Sequence, residues 1–334
     1  MTANIPNSRP LWKSAAFQRR LSPPLIAFLL AVLLFLLSSF LFSNGAGLQP
    51  MADRGFNILR ISAFLGVIAA GQTIVILSGG EGIDLSVGTT VTVGAMVAAV
   101  VANRQDSMVF PALFAALGVG LLIGLVNGIG VAKLKVHPLV MTLGMAGVTA
   151  GGMLAIYQGQ VQGGASPMML RLISFPVFMG LSGAVLIWIL GSILMWLLLN
   201  RTHYGKNLYA VGINRETAYL SGVNVPLTII IAYTLSGLIA AFGGFLLLGY
   251  TQTVYFTLGE AYLFPSIAAV VIGGTTLAGG EGSYWGTMSG ALVLTIIDSI
   301  LTTVQMSQQE RQIILGVILL LVIAVYGRQR ALRQ

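Results

Sequence analysis

The tetrapeptide Gly-Gly-Glu-Gly occurs twice in this sequence, at residues 79–82 and at residues 279–282. Each copy joins two apolar stretches that are too close together for a solvated loop. Glycine permits positive φ angles and close backbone approach, so each copy can break a helix and let it resume. The residues of the two breaks that we single out as functional candidates are Gly82, Asp84, Ser86, Gly88, Gly273, Gly274, Gly280 and Gly282.

Few residues suit catalytic or metal-binding chemistry. The chain has no cysteine and only two histidines, which leaves no thiolate metal site and little room for an imidazole cluster. The fragment Gly205-Lys206-Asn207 lacks both the glycine spacing and the hydroxyl residue of a nucleotide-binding P-loop. We therefore expect no catalytic residue, metal or cofactor, and the chain alone should not hydrolyse ATP.

The composition indicates a protein of the lipid bilayer. Hydrophobic residues make up 56% of the 334 residues and charged residues only 8%, whereas a soluble chain carries roughly 25% charged residues. Apolar segments of about 20 residues recur along the chain, as a hydrocarbon layer about 30 Å thick requires. The net charge of +8 could suggest nucleic acid, but the basic residues are spread over loop ends and form no single patch.

These segments predict an all-α integral membrane protein, a polytopic bundle of about ten transmembrane helices with Gly-interrupted helices in both halves. The first apolar run, from Pro24 to Ser43, is too long for the core of a cleaved signal peptide and predicts a retained helix. The other predicted spans lie near residues 57–78, 87–103, 109–132, 138–157, 176–199, 226–250, 264–279, 284–303 and 311–326.

The basic residues predict the orientation, because they collect on the cytoplasmic side of a membrane protein. With both termini cytoplasmic, the inner segments hold Arg9, Lys13, Arg19, Arg20, Lys133, Lys135, His137, Arg201, His203, Lys206, Arg215, Arg328, Arg330 and Arg333. We predict a cytoplasmic segment over residues 1–23, a membrane domain over 24–327 with a cytoplasmic loop at 200–225, and a cytoplasmic tail over 328–334. Both tetrapeptide copies then face the same side, so the repeat is parallel and not inverted.

Two interpretations of the breaks stay open. Paired Gly-interrupted helices in the two halves of a membrane chain indicate a transport path. Alternatively, both copies are tight cytoplasmic turns whose acidic residues, Glu81, Asp84 and Glu281, are solvated or cap the next helix. Polar residues inside the spans could likewise line a path or bond between helices, and these are Gln72, Asn127, Thr142, Ser236 and Asp298.

The loop at residues 201–225 contains a short helical signal. Asn214 is a good N-cap, Glu216 suits the first turn, and Gly222 suits the end of a helix. Two turns of helix are not stable alone in water, so the segment must pack on its own bundle or in a groove of a partner protein.

The same helix has a face that could meet a partner. We expect Ala218 to leave this face smooth, and Tyr219 and Leu220 to offer apolar area to a groove.

Several longer motifs occur in a consistent order between about Asn57 and Gly327. They are Gly82-Ile83-Asp84-Leu85-Ser86-Val87-Gly88, Asn127-Gly128, Pro138 with Met141-Thr142-Leu143-Gly144, the loop from Tyr204 to Asn214 with Ser221-Gly222-Val223, and the run from Ile267 to Thr275 that continues through Gly279-Gly280-Glu281-Gly282 to Gly286-Thr287. In these motifs the chain resembles the permeases of ribose-type ABC importers, the carbohydrate uptake group 2 that depends on a binding protein. It departs from the family at Glu81, where glycine is usual, and at Asn207, where arginine is common.

The resemblance implies a pore-forming permease subunit in a bacterial inner membrane, which takes a sugar or sugar-like solute from a periplasmic binding protein. It also implies a second permease subunit, in a homodimer or heterodimer, and a separate ATPase subunit that binds ATP and docks on the loop near residues 204–223. The residues expected to couple to that ATPase are Tyr204, Gly205, Ala210, Gly212, Asn214, Ala218, Leu220, Ser221 and Gly222.

The main alternative is an ion-coupled secondary transporter of a small polar solute. It would need carboxylates or histidines near mid-membrane, and only Asp298 is predicted to lie deep. An intramembrane enzyme would need a nucleophile with a base or a metal cluster. A channel would leave the loop near residues 204–223 unexplained, so the importer permease is favoured.

Overall fold

The computed structural model describes residues 22–42 and 48–331. The α-helices in these residues are α1 (Pro23–Phe42), α2 (Leu48–Leu77), α3 (Val87–Ala102), α4 (Val109–Ala132), α5 (Pro138–Tyr157), α6 (Pro167–Ser174), α7 (Gly183–Arg201), α8 (His203–Ile213), α9 (Arg215–Leu220), α10 (Val225–Thr251), α11 (Glu260–Ile272), α12 (Tyr284–Thr303) and α13 (Gln308–Ala331). A 3-10 turn lies at Asp106–Met108, and strands β1 (Pro176–Phe178) and β2 (Leu181–Ser182) form an antiparallel hairpin.

Seven helices in the described part of the chain are long and apolar enough to cross a membrane, namely α1, α2, α4, α5, α7, α10 and α12. This confirms the predicted all-α polytopic class, and the chain is interrupted between α2 and α3 and again between α11 and α12. The predicted number of ten crossings is not confirmed, since α3 and α11 have only 16 and 13 residues. At 1.5 Å per residue they are about 24 and 20 Å long, shorter than a hydrocarbon layer of about 30 Å.

Two predicted spans differ from the observed helices. The span predicted at 264–279 corresponds to α11, which ends earlier because Gly274 has a φ angle of 87° that a helix cannot accommodate. The span predicted at 176–199 begins with the β-hairpin. Its turn contains Gly180 at a φ angle of 82°, so α7 starts only at Gly183.

Helices α4 and α10 pack together through glycines spaced one turn apart. A methyl group on Gly128 would lie 2.8 Å from Ile230 Cα, and one on Gly124 would lie 2.8 Å from Thr234 Cα. A methyl group on Gly120 would overlap the carbonyl oxygen of Gly237. The two backbones therefore touch directly, which is how small residues let membrane helices associate.

Other glycines inside the predicted spans do not make such contacts within this chain. Nothing lies within 4 Å of a methyl group built on Gly118, Gly144, Gly147, Gly151 or Gly152. The last four glycines belong to α5, whose apolar residues are largely exposed. Within this chain, close packing through glycine therefore occurs at the α4–α10 contact and not on α5.

One end of the bundle carries both Gly-Gly-Glu-Gly turns, the α8–α9 segment and the turn at residues 133–137, and we call it the turn end. The two tetrapeptides meet there, because Gly280 N donates a hydrogen bond to Leu77 O at 3.0 Å. The predicted placement of both copies on the same side is therefore confirmed. The basic residues used in the orientation prediction that lie outside the described residues are Arg9, Lys13, Arg19, Arg20 and Arg333.

The contact between α4 and α10 predicts that alanine substitutions at two glycines of α4 change the stability of the protein differently. Gly124→Ala should lower the thermal unfolding midpoint of the detergent-solubilised protein, since an overpacked core costs about 1–3 kcal/mol. Gly118→Ala is the matched control, and it should be neutral or gain about 0.5–1 kcal/mol through reduced backbone entropy. Equal midpoints for the two variants would show that the glycine contact does not stabilise the bundle.

Candidate functional site

Asp84 lies in the first break, and its side chain is only 1% exposed. Its Oδ1 atom accepts hydrogen bonds from Ser86 N at 3.0 Å and from Ser86 Oγ at 2.6 Å, and Oδ2 accepts one from Ser236 Oγ at 2.8 Å. Gln72 holds the main chain of the same residue. Its Nε2 atom donates to Asp84 O at 3.3 Å, and Asp84 N donates to its Oε1 atom at 3.2 Å. Every polar atom of Asp84 therefore has a partner inside the protein.

The hydrogen bonds continue from the break to α4 and α5. Asn127 Nδ2 donates to Ser86 Oγ at 2.8 Å, and Leu85 N donates to Thr142 Oγ1 at 3.0 Å. Gln72, Asn127, Thr142 and Ser236 thus tie the first break to α2, α4, α5 and α10. For these four residues the structure favours the interhelical interpretation over the lining of a path.

The buried position of Asp84 differs from the sequence expectation. The side chain does bond the backbone N–H of Ser86 next to α3, as an Asx turn does, but it is not solvated and it also bonds α10. Asp298, which was expected to be the deep carboxylate, is partly exposed and forms an ion pair with Arg311 at 3.0 Å. The deeply buried carboxylate is therefore Asp84.

A close crossing of α2 and α10 explains how Ser236 reaches Asp84. A methyl group on Gly71 would lie 2.9 Å from Ser236 Cα, so a larger residue would push α10 away. The useful signal in the sequence is that Gly71 and Gln72 adjoin within the apolar stretch of α2. The partner on α10 could not be identified from sequence spacing, because 152 residues separate it from Asp84.

The second break is closed by different groups. Tyr284 occupies the position that Asp84 has in the first copy, and its hydroxyl donates to Gly66 O at 2.8 Å and accepts from Trp188 Nε1 at 3.0 Å. Thr276 N donates to the carbonyl oxygen of Glu281 at 3.0 Å and closes the turn itself. The two tetrapeptides are identical in sequence, but the residues that hold the two breaks by hydrogen bonds differ.

The glycine candidates of the breaks lie at close backbone contacts. A methyl group on Gly82 would lie 2.7 Å from Val75 O, and one on Gly88 would lie 3.1 Å from Gly259 O. On the second break, a methyl group on Gly273 would overlap the main chain of Gly286.

Two further glycines of the second break have positive φ angles. Gly274 has a φ angle of 87° and faces Pro23 of α1, and Gly282 has a φ angle of 151° beside Thr275. In the described part of the chain, no candidate residue of either break lines the cavity beside Asp298 and Arg311 or the cavity beside Glu81 and Arg215. Their assignment to a translocation path stays a prediction.

The segment between α7 and α10 consists of two short helices, α8 and α9. Thr202 Oγ1 accepts from Gly205 N at 3.1 Å and caps α8. Asn214 Oδ1 accepts from Thr217 N at 2.9 Å and caps α9, so the predicted N-cap is confirmed. Gly222 follows α9 with a φ angle of 84°, as predicted for its stop.

The coupling candidates divide between an inner and an outer face of this segment. Gly205, Gly212 and Ala218 are buried, and Ala218 packs with Val75, Val131, Val211, Ile229 and Tyr233. The expectation that Ala218 faces a partner is therefore wrong, because its small side chain instead lets α9 lie against the bundle. Ile213, Tyr219 and Leu220 form the outer face, with exposed fractions of 72%, 69% and 78%. The remaining candidates are Tyr204 and Ala210, which are partly buried, and Ser221, which is exposed.

A groove of about 750 Å³ separates α9 from the turn at residues 133–137. Glu81 and His137 both line this groove and form a pair, with Oε2 and Nε2 2.8 Å apart. Arg215 also lines the groove, and its Nη2 atom donates to Gly79 O at 3.0 Å. Burial lowers the pKa of this guanidinium from its ordinary value, although an arginine side chain keeps its charge in proteins.

Within residues 22–42 and 48–331, no group of His, Asp and Glu side chains is arranged to hold a metal ion.

Comparison with known proteins assigns this arrangement to a family. A family profile described as branched-chain amino acid transport system / permease component matches residues 55–323. The chain belongs to this permease family. The match covers both breaks and the α8–α9 segment, so the chain is a transport subunit of the kind that this family comprises.

Three relatives illustrate the similarity. The chain is 34% identical to the ribose import permease protein RbsC of Escherichia coli (strain K12), over 82% of this chain and 86% of the relative. It is 34% identical to the fructose import permease protein FrcC of Rhizobium meliloti, over 80% and 76%. It is also 34% identical to the galactose/methyl galactoside import permease protein MglC of Salmonella typhimurium (strain LT2), over 90% and 94%. No solved structure matches the chain.

The hydrogen bonds of Asp84 predict how its substitution affects stability. Asp84→Ala would leave the donors of Ser86 and Ser236 unpaired, and each buried orphan costs about 1–3 kcal/mol. Asp84→Asn should be milder, because the amide keeps one accepting oxygen and its NH₂ group can donate to Ser236 Oγ after that hydroxyl rotates. In detergent, the thermal unfolding midpoint should be highest for the wild type, lower for Asp84→Asn and lowest for Asp84→Ala.

The control for this series is Asp53→Ala, since Asp53 is an exposed carboxylate near the start of α2. Exposed substitutions usually change stability by less than about 0.5 kcal/mol. If Asp84→Ala unfolds at the same temperature as Asp53→Ala, the buried network does not hold the break.

Proposed function

We propose that this chain is the transmembrane permease subunit of an ABC importer that moves a sugar or sugar-like solute into the cytoplasm. The solute is delivered by a periplasmic binding protein, and a separate ATPase subunit drives its passage. The observation that carries the proposal is the outer face of α8 and α9. Three apolar side chains, Ile213, Tyr219 and Leu220, are exposed there on two capped helices. Such a surface suits a groove on a partner protein.

The relatives support a sugar as the solute class. The similar permeases carry names that specify ribose, fructose and galactose or methyl galactoside. The family description mentions branched-chain amino acids. We favour the sugar because three permeases of different named sugars each match 80% or more of this chain.

The ATPase contact is supported by how the α8–α9 segment is held. Ala218 fixes its inner side in the bundle, while Leu220 and Tyr219 stay exposed beside the groove that contains Arg215. A rigid protruding element is what a partner needs in order to move membrane helices. We expect a second permease subunit as well, in a homodimer or heterodimer, and the exposed apolar surface of α5 suits a membrane partner.

The ion-coupled alternative receives no support from the carboxylates. Both side-chain oxygens of Asp84 are occupied by protein donors, and Asp298 is paired with Arg311. An ion relay needs carboxylates that can exchange a proton or cation along the path.

The proposed orientation places the turn end in the cytoplasm of a bacterium, at the inner membrane, with both chain termini on that side. It is testable because the chain has no cysteine. A membrane-impermeant maleimide should label the Met179→Cys variant in intact spheroplasts, since Met179 lies on the hairpin at the opposite end and is 80% exposed. The Leu134→Cys variant, at the turn end and 71% exposed, should react only after permeabilisation. The reverse pattern would invert the topology.

If an ATPase subunit docks on the α8–α9 segment, the tagged wild-type chain should recover an ABC ATPase from its native membranes. Leu220→Asp should insert normally but reduce that recovery strongly, since an unpaired charge in a protein contact costs several kcal/mol. Asn214→Ala should be milder, at about 1 kcal/mol of helix stability. Met179→Asp, which changes an exposed residue at the opposite end, is the control for a new surface charge.

The outcome assigns the docking surface. If the wild type recovers no ABC ATPase, the importer function is wrong. If Leu220→Asp recovers it normally while Leu134→Asp does not, the turn at residues 133–137 is the docking element instead.

A further inference from the structure

One residue of helix α8, Gly212, lies against both Gly-Gly-Glu-Gly turns. A methyl group there would overlap Leu77 O, at the end of α2, and Gly280 N, in the second turn. In the reverse direction, a methyl group on Gly79 would lie 2.7 Å from Gly212 O and 2.9 Å from Gly212 Cα. Three main-chain segments therefore meet in direct backbone contact. We call Gly79, Gly212 and Gly280 the glycine junction.

Two side chains of the α8–α9 segment donate hydrogen bonds to the turns beside this junction. The Tyr209 hydroxyl donates to Gly282 O at 2.9 Å, in the second turn. Arg215 Nη2 donates to Gly79 O at 3.0 Å, in the first turn. Burial raises the pKa of the Tyr209 hydroxyl above its ordinary value, so the group stays protonated and remains a donor at neutral pH. Each turn is thus held by one backbone contact and one hydrogen bond.

The turns are also bonded to each other and lie close to a contact between their helices. Gly280 N donates to Leu77 O at 3.0 Å. A few residues away, the hydroxyl oxygens of Thr73 on α2 and Thr287 on α12 lie 2.8 Å apart. A displacement at the junction would therefore reach α2 and α12 together.

We propose that Gly212, with Tyr209 and Arg215, is the positioning element that transmits movement of α8 and α9 to both broken helices at once. The inference rests on the proposed function, in which an ATPase moves these two helices. Backbone packed on backbone has no rotamer with which to absorb a displacement, and protein interiors transmit strain because they are closely packed. A shift of α8 must then move Gly79 and Gly280 in the same step.

A purely structural junction and a transmitting one differ in what their variants lose. If the junction only stabilises the fold, its variants lose stability and ATPase binding together. If it transmits movement, its variants keep the ATPase bound and hydrolysing but lose solute movement. The ratio of solute taken up to ATP hydrolysed separates these cases, because it is independent of the amount of assembled complex.

The test uses the permease–ATPase complex recovered from membranes and reconstituted in proteoliposomes with its binding protein. Radiolabelled ribose, fructose and galactose are supplied in parallel. Gly212→Ala adds one methyl group to the junction, and Gly118→Ala adds one where nothing lies within 4 Å. We expect Gly212→Ala to bind the ATPase at wild-type stoichiometry, and its uptake per ATP to fall about tenfold, a size common for coupling between linked sites. Gly118→Ala should match the wild type.

Tyr209→Phe keeps the inference testable if Gly212→Ala fails to assemble. It removes one hydroxyl and adds no atom, so it cannot cause a steric clash, and it should lower uptake per ATP by a smaller factor. Its control is Tyr255→Phe, which changes an exposed tyrosine at the opposite end of the bundle.

The outcomes separate this inference from the function on which it rests. A wild-type chain that binds no ABC ATPase overturns the proposed function and the inference with it. If wild type binds the ATPase and transports, wild-type uptake per ATP in Gly212→Ala overturns the inference alone. Where Gly212→Ala does not assemble, equal ratios for Tyr209→Phe and Tyr255→Phe have the same consequence.

Discussion

A helix that breaks inside a membrane protein exposes backbone groups that lipid cannot satisfy, and the first half of this structure is built around that constraint. Between α2 and α3 the freed backbone groups are bonded by the side chains of Gln72 on α2, Thr142 on α5 and Asp84 itself. Asp84 stands at the centre of these bonds. Its carboxylate holds Ser86 and α10, while Gln72 holds its main chain. A buried carboxylate is costly unless its acceptors are filled, which is why the neighbouring helices carry serine, glutamine, asparagine and threonine at these points.

The glycines make this network geometrically possible. Ser236 reaches Asp84 only because Gly71 lets α10 approach α2, and α10 in turn lies against α4 through Gly120, Gly124 and Gly128. Polar bonds between helices need the backbones to be close, and small residues provide that closeness. The same property explains the junction at Gly212, where close backbone contact connects the outer α8–α9 segment to the interior. In this protein the hydrogen bonds of the buried polar groups therefore depend on the glycine contacts that bring the helices together.

The sequence was sufficient for features that depend on local signals. Apolar length predicted the helical class, and the cap residues Asn214 and Gly222 predicted the limits of α9. It was insufficient where the outcome depends on contacts between distant segments. Ala218 and Leu220 both suit an apolar face, and only the packing of α9 on Val75 and Tyr233 decides which one points inward. In the same way Asp84 has the local signature of a solvated cap, and its burial depends on Ser236, a residue of a distant helix.

The two copies of Gly-Gly-Glu-Gly show how a sequence repeat can be structural without being symmetric. Asp84 closes the first break and Tyr284 the second, and both are nearly inaccessible. Yet both reach the same helix, because Asp84 bonds Gln72 and Tyr284 bonds Gly66 on α2. Accordingly, 83% of the residues in an 18-residue apolar stretch of α2 are buried, against 11% in the corresponding stretch of α5. The two breaks are anchored on the same helix, at Gln72 and at Gly66, six residues apart. The two turns therefore cannot move independently of α2. The parallel repeat therefore behaves as a pair of attachments to a single central element, and α8, which contacts that element at Leu77, is placed where it can act on both.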